Sequence, residues 1–366
     1  MKIIISGGGF SSLYLSILLS KEHEVFAIEE HGEIGKDICC TGLVSGEVLK
    51  RFPKTPVTNK IKNVEVVAPS GKIYGIDGVR EVYVIDRIAF EKILGEKSLD
   101  SGTEIILNAR VVDVLQKAEK VGLVYKKDGE RREIYGDMVV GADGPLSLVR
   151  KKVFSEVLKE PLIGVQSMVK RRVPDETIRI YPTRKYSDGL FAWEVPYEDY
   201  EIVGTASHTS PLKYFRKLVK DLNLDVKKIC MKIIPIGLLS RFEKDNFRLI
   251  GDAAAMCKPT SGGGIYPSAV AAEILAKNIY GGYEENFRKN LGKELQKGLI
   301  IQNIYRNVDD GEREKLLKLL EDEEIVELVR TKGDVDHPLK FGYSLLKKRP
   351  SLIKYMPKFL RNYFSL

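Results

Sequence analysis

The start of the chain constrains the fold most strongly, because an apolar run leads directly into a glycine-rich turn. Residues 2–6 read Lys-Ile-Ile-Ile-Ser, a composition typical of a strand buried in a parallel sheet, and the pattern Gly7-x-Gly9-x-x-Ser12 follows. A helical pattern covers residues 11–20. Glycines in such a turn let the backbone approach a pyrophosphate, which sits at the helix N-terminus. The sequence therefore predicts a nucleotide-binding turn.

A second strand, over residues 25–28, ends at Glu29 and completes a β-α-β unit. An acidic side chain in this position can accept hydrogen bonds from a ribose. Ser12 stands where the pattern usually has its third glycine, and its small side chain still permits close packing of helix on strand. The residues predicted to contact the ligand in this unit are Gly7, Gly9, Phe10, Ser11, Ser12 and Glu29.

Two further apolar strands run into turns that pair a glycine with an aspartate. One strand ends in Asp143-Gly144, and the other ends in Gly251-Asp252. Three such turns at distant points of one chain are hard to obtain by chance. We therefore predict that the two later turns bind the same ligand as the first turn, through Asp143, Gly144, Gly251 and Asp252.

Two helix starts add candidate contacts. A glycine-rich loop precedes an alanine-rich helix over residues 265–279, and its backbone N–H groups favour negative charge while its glycines let a flat ring approach. The residues assigned in this loop are Pro259, Gly262, Gly263, Gly264 and Ile265. Arg87 begins another helix, with Asp86 as its N-cap, and is either a phosphate or ring-edge contact or a solvated charge.

These motifs resemble those of known FAD enzymes. The turns at Asp143 and Asp252 are similar to motifs of enzymes related to aromatic hydroxylases, in which an aspartate after a strand binds the ribityl–pyrophosphate part of FAD. The loop 259–265, the segment 40–45 (Cys-Thr-Gly-Leu-Val-Ser) and the segment 191–196 (Phe-Ala-Trp-Glu-Val-Pro) resemble the geranylgeranyl reductase family. That family reduces isolated C=C bonds of isoprenoid chains, chiefly in archaeal membrane lipids and chlorophyll side chains.

The resemblance implies roles for single residues. It makes Cys40 and Trp193 catalytic candidates. In members of that family a cysteine of this segment lies near the flavin, and the corresponding tryptophan lines the substrate cavity. A small buried side chain and a core aromatic are equally good interpretations of these two residues. Which of Cys39 and Cys40 faces the flavin stays open, and both are kept as candidates. The remaining assignments are Val112 and Cys39 to the cofactor, and Phe191, Trp193 and Pro196 to the substrate. Val195 and Ala206 depart from the family's pattern, so the resemblance does not specify the alkene.

The order of the patterns predicts an α/β fold in which two domains are interleaved. A Rossmann-like FAD-binding domain, a parallel sheet with helices, alternates with a mostly antiparallel β-sheet substrate domain, and C-terminal helices follow. Short strands with turns at 69–71 and 76–78 are expected within residues 61–85. The predicted boundaries are 1–60, 81–155 and 241–283 for the FAD-binding domain, 61–80 and 156–240 for the substrate domain, and 284–366 for the helical region.

The implied activity is an FAD-dependent reduction of C=C bonds in an isoprenoid lipid or prenyl diphosphate, by hydride transfer from N5 of the reduced flavin. An FAD-dependent monooxygenase or halogenase shares the three FAD motifs and is the first alternative. An electron-transfer flavoprotein dehydrogenase is the second. The external electron donor, NADPH or ferredoxin or another donor protein, is not specified by the residues.

Composition narrows the partners. The net charge of +8 favours anionic partners. The sequence has no nucleic-acid recognition pattern, so no nucleic acid is expected among the partners. The basic, aromatic-rich stretch 338–366 suggests peripheral membrane contact, or terminal helices docked on the body. The four cysteines match neither a metal site nor a disulfide framework. No metal is expected, and a reducing, cytoplasmic location, possibly at a membrane, is predicted.

Overall fold

The computed structural model describes residues 1–117, 120–334 and 336–355. Its strands are, in chain order, β1 (Lys2–Ser6), β2 (Glu24–Ile28), β3 (Leu43–Ser45), β4 (Val57–Val67), β5 (Ile73–Ile85), β6 (Glu104–Ile106), β7 (Arg110–Gln116), β8 (Val121–Lys127), β9 (Glu130–Gly136), β10 (Met138–Gly141), β11 (Leu162–Lys170), β12 (Thr177–Tyr181), β13 (Ala192–Tyr197), β14 (Tyr200–Ser207), β15 (Cys230–Ile234), β16 (Glu243–Lys244) and β17 (Phe247–Leu249).

The α-helices of these residues are α1 (Phe10–Leu19), α2 (Gly46–Arg51), α3 (Arg87–Asp100), α4 (Pro211–Asp221), α5 (Ile265–Lys277), α6 (Tyr283–Phe287), α7 (Lys293–Asn307), α8 (Asp310–Leu317), α9 (Glu323–Lys332) and α10 (Pro338–Lys348). Within the described ranges, no helix combines the length and the apolar character that a membrane crossing requires.

The first sheet has the strand order β16-β17-β10-β1-β2-β6, and all neighbours are parallel except β16 and β17. Its central strands are buried on both faces, which explains their continuous apolar runs: Ile3, Ile4 and Ile5 are fully buried. Helices α1 and α5 pack against each other over this sheet. The strands come from three separate stretches of chain, so the turns that follow them meet at one edge.

The second sheet has eight strands, in the order β15-β11-β14-β13-β12-β4-β5-β3, and a third sheet contains β7, β8 and β9. Antiparallel pairs dominate the second sheet, although β12 pairs with β4 in parallel. The α/β fold class with a parallel nucleotide-binding sheet, an antiparallel sheet and C-terminal helices is confirmed. The predicted domain boundaries stay predictions.

The turn predicted at residues 76–78 is wrong, because these residues belong to β5. Strand β4 pairs with β5 at Ile61–Val82 and resumes at Asn63–Asp77, so the residues between Asp77 and Val82 bulge out of the ladder. Gly78 supplies the positive φ of +70° that the bulge needs. An Asp-Gly pair inside a long strand thus marked a bulge and not a chain reversal.

Candidate functional site

The site begins where three parallel strands end side by side. Ser6 of β1 is paired with Gly141 of β10, and Gly141 is paired with Leu249 of β17. The backbone continues this alignment, since the N–H of Ile250 donates to the Gly141 carbonyl at 3.0 Å. The turns that follow all three strands therefore lie at one edge of the sheet, which is where open α/β sheets bind their ligands.

The first and second turns touch through Gly7. Its φ is +105°, and a β-carbon on it would lie 2.5 Å from the Ala142 carbonyl oxygen and 3.1 Å from the Cα of Asp143. A β-carbon on Gly9, by contrast, would meet no heavy atom within 4 Å. The backbone of the second turn thus fills the space beside Gly7. The space beside Gly9, at the N-terminus of α1, is open.

The first and third turns touch through Ser11 and Gly251. Gly251 has a φ of +65°, and the Ser11 hydroxyl occupies the space that its side chain would fill. Phe10, the first residue of α1, is buried in an aromatic group with Phe52 and Phe90. Phe10 therefore packs in the core, while its neighbour Ser11 joins the two turns.

Asp143 carries one oxygen that the described residues do not pair. Its Oδ2 accepts the N–H groups of Leu148 at 2.8 Å and Val149 at 3.3 Å, whereas its buried Oδ1 has no hydrogen-bond partner there. Burial raises the pKa of this carboxyl above its usual value. The hydroxyl of Ser12 is also buried without a partner among these residues. Such groups are rare in proteins, and a polar ligand would satisfy them.

Glu29 is held in place at the end of β2. Its Oε2 accepts the N–H of Gly8 at 2.6 Å, and its Oε1 accepts the N–H of His31 at 2.9 Å. The His31 ring nitrogen Nδ1 also lies 2.5 Å from Oε1. The carboxylate thus lies beside the glycine turn.

Val112 lies on β7, in the three-stranded sheet. Strand β7 pairs with β8 at Val111–Tyr125 and then at Asp113–Val124, so Val112 is the extra residue of a β-bulge. A bulged residue leaves its backbone groups outside the ladder, where they can meet another partner. The N–H of Ala109 donates to the Glu29 carbonyl at 2.9 Å, which ties the start of β7 to the end of β2.

Arg150 is a positioning residue that was not among the predicted site residues, although it follows the Asp143-Gly144 turn closely. It is 2% exposed, and its guanidinium donates to the Ala253 carbonyl at 3.0 Å and to the Pro145 carbonyl at 2.6 Å. These carbonyls belong to the third and second turns, so one side chain clamps both. The sequence signal for this residue was its place just after the Asp143-Gly144 turn, in the stretch that resembles the motif of FAD enzymes.

The glycine-rich loop approaches Asp252 at the start of α5. A β-carbon on Gly264 would lie 3.3 Å from Asp252 Oδ1 and 3.1 Å from the sulfur of Cys257. The Cys257 thiol in turn donates to Asp252 Oδ1 at 3.2 Å. Gly262 has a φ of +73°, and Gly263 and Ile265 continue the loop into the helix. Pro259 is buried at its base.

Electrostatics distinguish the two side chains next to Asp252. Burial raises the pKa of the Cys257 thiol well above its usual value, and the adjacent Asp252 carboxylate raises it further. Cys257 therefore stays a thiol at neutral pH. Burial alone would lower the pKa of Lys232, but Asp252, 3.6 Å away, and Cys40 raise it above its usual value. Lys232, whose side chain is 46% exposed, thus remains a cation beside Asp252, and no sequence motif identified it.

Arg87 contacts Cys40. Asp86 caps α3 by accepting the N–H groups of Ile88 and Ala89, so Arg87 begins the helix. Its guanidinium lies 3.4 Å from the Cys40 sulfur and forms an ion pair with Glu91. The Arg87 Nε is buried with no hydrogen-bond partner in the described part of the chain.

The expectation that the cysteines form no disulfide is wrong. Cys39 is bonded to Cys230, with their Cα atoms 5.9 Å apart, while Cys40 and Cys257 are free. The partners are 191 residues apart, so their spacing along the chain does not reveal the pairing. The argument for a reducing compartment from cysteine spacing therefore loses its basis.

The three residues assigned to the substrate lie on or beside β13, in the second sheet. Trp193 lies directly opposite Gly204, where a β-carbon would come within 2.6 Å of its indole ring. Phe191 packs edge-on against Trp193, with ring centroids 6.4 Å apart, and Pro196 is buried. Trp193 packs against the hydrophobic cluster that includes Cys257. The aromatic side chains of Phe191 and Trp193 therefore lie in the same cluster as Cys257, which contacts Asp252.

Comparison with known proteins identifies similar chains along almost the whole length. A family model described as an FAD binding domain matches residues 48–286. A digeranylgeranylglycerophospholipid reductase from Methanothrix thermoacetophila is 24% identical, over 88% of this chain and 92% of its own length. An uncharacterized protein from Methanocaldococcus jannaschii is 25% identical, over 94% of each chain.

Among solved structures, a geranylgeranyl bacteriochlorophyll reductase-like protein from Thermoplasma acidophilum shares the fold. The two superpose with a TM-score of 0.82 at 18% identity, over 96% of this chain and 97% of the other.

Proposed function

The chain belongs to the family of FAD binding domains, and on that premise we propose that it is an FAD-dependent reductase of C=C bonds in isoprenoid chains of membrane lipids or their precursors. The name of the relative from Methanothrix thermoacetophila supports this substrate class. The same class follows from the motif segments around Cys40 and Trp193. The cofactor, FAD, follows from the family.

The three turns supply groups that fit FAD. Open space above Gly9 admits a pyrophosphate at the N-terminus of α1, where the N–H groups have no side-chain cap. The unpaired oxygen of Asp143 and hydroxyl of Ser12 offer it polar partners. Glu29 suits the ribose, and Asp252 suits the ribityl–pyrophosphate part. The remaining contacts that we propose are Gly7, Ser11, Arg87, Val112, Gly144, Gly251, Pro259, Gly262, Gly263, Gly264 and Ile265, with Cys39 in the adjoining segment.

One observation carries the choice of an apolar substrate: an aromatic surface adjoins the cofactor turn. Phe191 and Trp193 pack with the cluster that contains Cys257, and the sulfur of Cys257 contacts Asp252. An isolated alkene has no charge by which a protein could hold it, so an apolar surface must orient it and exclude water. Each CH₂ group buried there contributes about 0.8 kcal/mol to binding.

FAD, when bound and reduced, supplies a hydride to one carbon of the alkene. The protein must deliver a proton to the other carbon, and we assign this step to the Cys40 thiol. Arg87, 3.4 Å from that sulfur, stabilises the thiolate that remains. Trp193 and Phe191 orient the chain, and Lys232 adds positive charge to the site beside Asp252.

The C-terminal region supports a lipid surface as the place of action. Helix α10 ends in Lys347 and Lys348, and Tyr343 on it is 61% exposed. A basic helix with exposed aromatic residues can lie on an anionic membrane. We extend the proposal to a cytoplasmic protein that contacts membranes through the stretch 338–366, of which residues 356–366 lie outside the described ones. The electron donor that we expect is NADPH or a ferredoxin-like protein.

The decisive experiment is anaerobic turnover. Purified protein with FAD is reduced with dithionite and mixed with a digeranylgeranyl glycerophospholipid, and the lipid mass is followed. We expect a gain of two hydrogens per reduced bond and reoxidation of the flavin that depends on the lipid. A matched Trp193→Ala variant should retain FAD and lose turnover.

An unchanged lipid mass with fully reduced flavin would overturn the proposal. In a parallel reaction in air, consumption of oxygen coupled to the substrate, with incorporation of an oxygen atom, would assign the chain to the monooxygenases instead.

A further inference from the structure

Every cysteine of the chain lies in one cluster. The sequence contains four cysteines, and they come from three distant segments. Cys39 is bonded to Cys230, and Cys40 follows Cys39 directly. Cys257 contacts Asp252, whose carboxylate lies 3.6 Å from Lys232, two residues after Cys230. In the reduction proposed above Cys40 is the only cysteine that transfers a proton, so the bond between Cys39 and Cys230 takes part in no chemical step there.

The disulfide joins two segments that belong to different parts of the fold. Cys39 belongs to the segment between β2 and β3, which leaves the parallel sheet. Cys230 begins β15, the edge strand of the eight-stranded sheet, which pairs with β11 on one side. Both cysteines are half-buried, so a reagent in solution can reach the bond.

A cationic side chain lies close to the neighbours of each cysteine of the bond. Side chains alternate along a strand, so Lys232 shares a face of β15 with Cys230, and its ammonium lies 3.6 Å from Asp252 in the site. Arg87 contacts Cys40, the neighbour of Cys39. Positive charge lowers the pKa of a leaving thiol, and a thiol with a lower pKa leaves faster in disulfide exchange.

We propose that the Cys39–Cys230 bond is a thiol–disulfide exchange site whose co-reactant is a dithiol. A thiolate of the dithiol attacks one sulfur of the bond, the S–S bond breaks, and the other cysteine leaves. The second thiol of the reagent then attacks the mixed disulfide and displaces the remaining cysteine. The dithiol is oxidised to its disulfide, and its two protons pass to the two cysteines, which are reduced. Reduction releases the segment after β2 from the edge strand that carries Lys232.

The test uses the full-length protein with FAD, prepared in air. It is treated with dithiothreitol under native conditions, quenched in acid, unfolded and alkylated, and each cysteine peptide is measured by mass spectrometry. Before treatment, Cys40 and Cys257 should be alkylated and Cys39 linked to Cys230. After treatment, all four should be alkylated while the flavin spectrum and the circular dichroism show a folded protein.

Charge variants test the cause of the reactivity. In Lys232→Met the leaving thiol should have a higher pKa, so the reduction should slow severalfold. Lys232→Arg should restore the rate, and Lys170→Met, which removes an exposed lysine at the far end of the neighbouring β11, should leave it unchanged. The rate of reduction by a thioredoxin-type protein is compared with the rate by dithiothreitol at equal dithiol concentration. The faster of the two reagents shows whether the dithiol is a protein or a small molecule.

Three results would overturn the proposal. The first is the absence of the Cys39–Cys230 link in the untreated protein. The second is a link that neither dithiol reduces until the protein unfolds. The third is an unchanged rate of reduction in Lys232→Met. None of these results bears on lipid turnover, so the exchange site and the proposed reductase activity can fail independently.

Discussion

The carbonyl oxygen of Ala142 occupies the space that a side chain on Gly7 would need. A β-carbon there would lie 2.5 Å from that oxygen, at a φ of +105°. Both residues follow central strands of the parallel sheet, so the contact locks the first nucleotide-binding turn against the second. The turn can close only because residue 7 has no side chain.

Replacing Gly7 with alanine should therefore abolish FAD binding and destabilise the fold. The positive φ alone costs about 1–2 kcal/mol for a residue with a β-carbon, and the overlap with Ala142 adds to this cost. The matched control is Gly71→Ala, where φ is +90° and a β-carbon would meet nothing within 4 Å. Urea unfolding and the flavin absorbance of both variants measure the difference. Equal losses of stability would show that the contact with Ala142 contributes nothing.

Removing the Asp252 carboxylate should release FAD. Asp252 accepts the Cys257 thiol and lies near Lys232, and we propose that it holds the ribityl–pyrophosphate part of the cofactor. Loss of a charged hydrogen-bond acceptor costs about 1.5–3 kcal/mol, so Asp252→Ala should weaken FAD binding by roughly ten- to a hundredfold. Titration of apoprotein with FAD, followed by flavin fluorescence, gives the affinity. Asp175→Ala, at an exposed aspartate, is the control. Full retention of the yellow chromophore in the Asp252 variant would count against the assignment.

Arg150→Lys should weaken FAD binding without unfolding the protein. The guanidinium reaches the carbonyls of Pro145 and Ala253, and a lysine ammonium at the same position has no fork with which to reach both. The second and third turns would then separate slightly. We expect a lower FAD affinity at an unchanged secondary structure, measured by fluorescence titration and circular dichroism. An affinity equal to that of the wild type would show that the turns hold their positions without this clamp.

The sequence was informative wherever a strand, a turn and a helix follow one another directly. Asp143 and Asp252 could be assigned because each comes immediately after an apolar strand, and strand order then brings them to one edge. Lys232 and Cys230 lie on an edge strand whose short pattern carries no motif. Their importance arises from residues 20 to 191 positions away, and tertiary contacts of that separation leave no local signal. Gly204 could be read as a motif position, but its contact with Trp193 depends on the register of two strands.

Gly204→Ala should displace the indole of Trp193. A β-carbon at residue 204 would lie 2.6 Å from the Trp193 ring and 2.8 Å from the Cβ of Gln166, so the indole must move or the strands must part. Overpacking of this kind costs about 1–3 kcal/mol. Because Trp193 is the only tryptophan, the emission spectrum reports its environment alone, and we expect a shift. FAD should remain bound while lipid turnover falls.

The control for this variant is Gly75→Ala, also in a strand, where a β-carbon would meet nothing within 4 Å. Its emission spectrum and turnover should match those of the wild type. Unchanged turnover in Gly204→Ala, with a clearly shifted spectrum, would remove Trp193 from the substrate wall.

Acid should destabilise the protein through His208. Its ring contacts the Pro161 carbonyl at 3.3 Å and the Gln302 amide nitrogen at 2.9 Å, so the neutral ring donates to the first and accepts from the second. Burial, helped by nearby Arg306, lowers the pKa of His208 below its usual value of 6.5. The unfolded chain therefore takes up a proton at a higher pH than the folded protein does.

The pKa of His208 is lower in the folded protein than in the unfolded chain, and this difference determines the sign of the pH effect. The stabilising contribution is complete above pH 6.5 and is lost as the pH falls below 6.5 and through the lower pKa of the folded state. In His208→Asn, which cannot take up this proton, the free energy of unfolding should depend less on pH in that window. Urea unfolding of both proteins at several pH values between neutral and mildly acidic measures the difference. Parallel curves for the two proteins would show that His208 is already protonated in the fold, or that its proton does not affect stability.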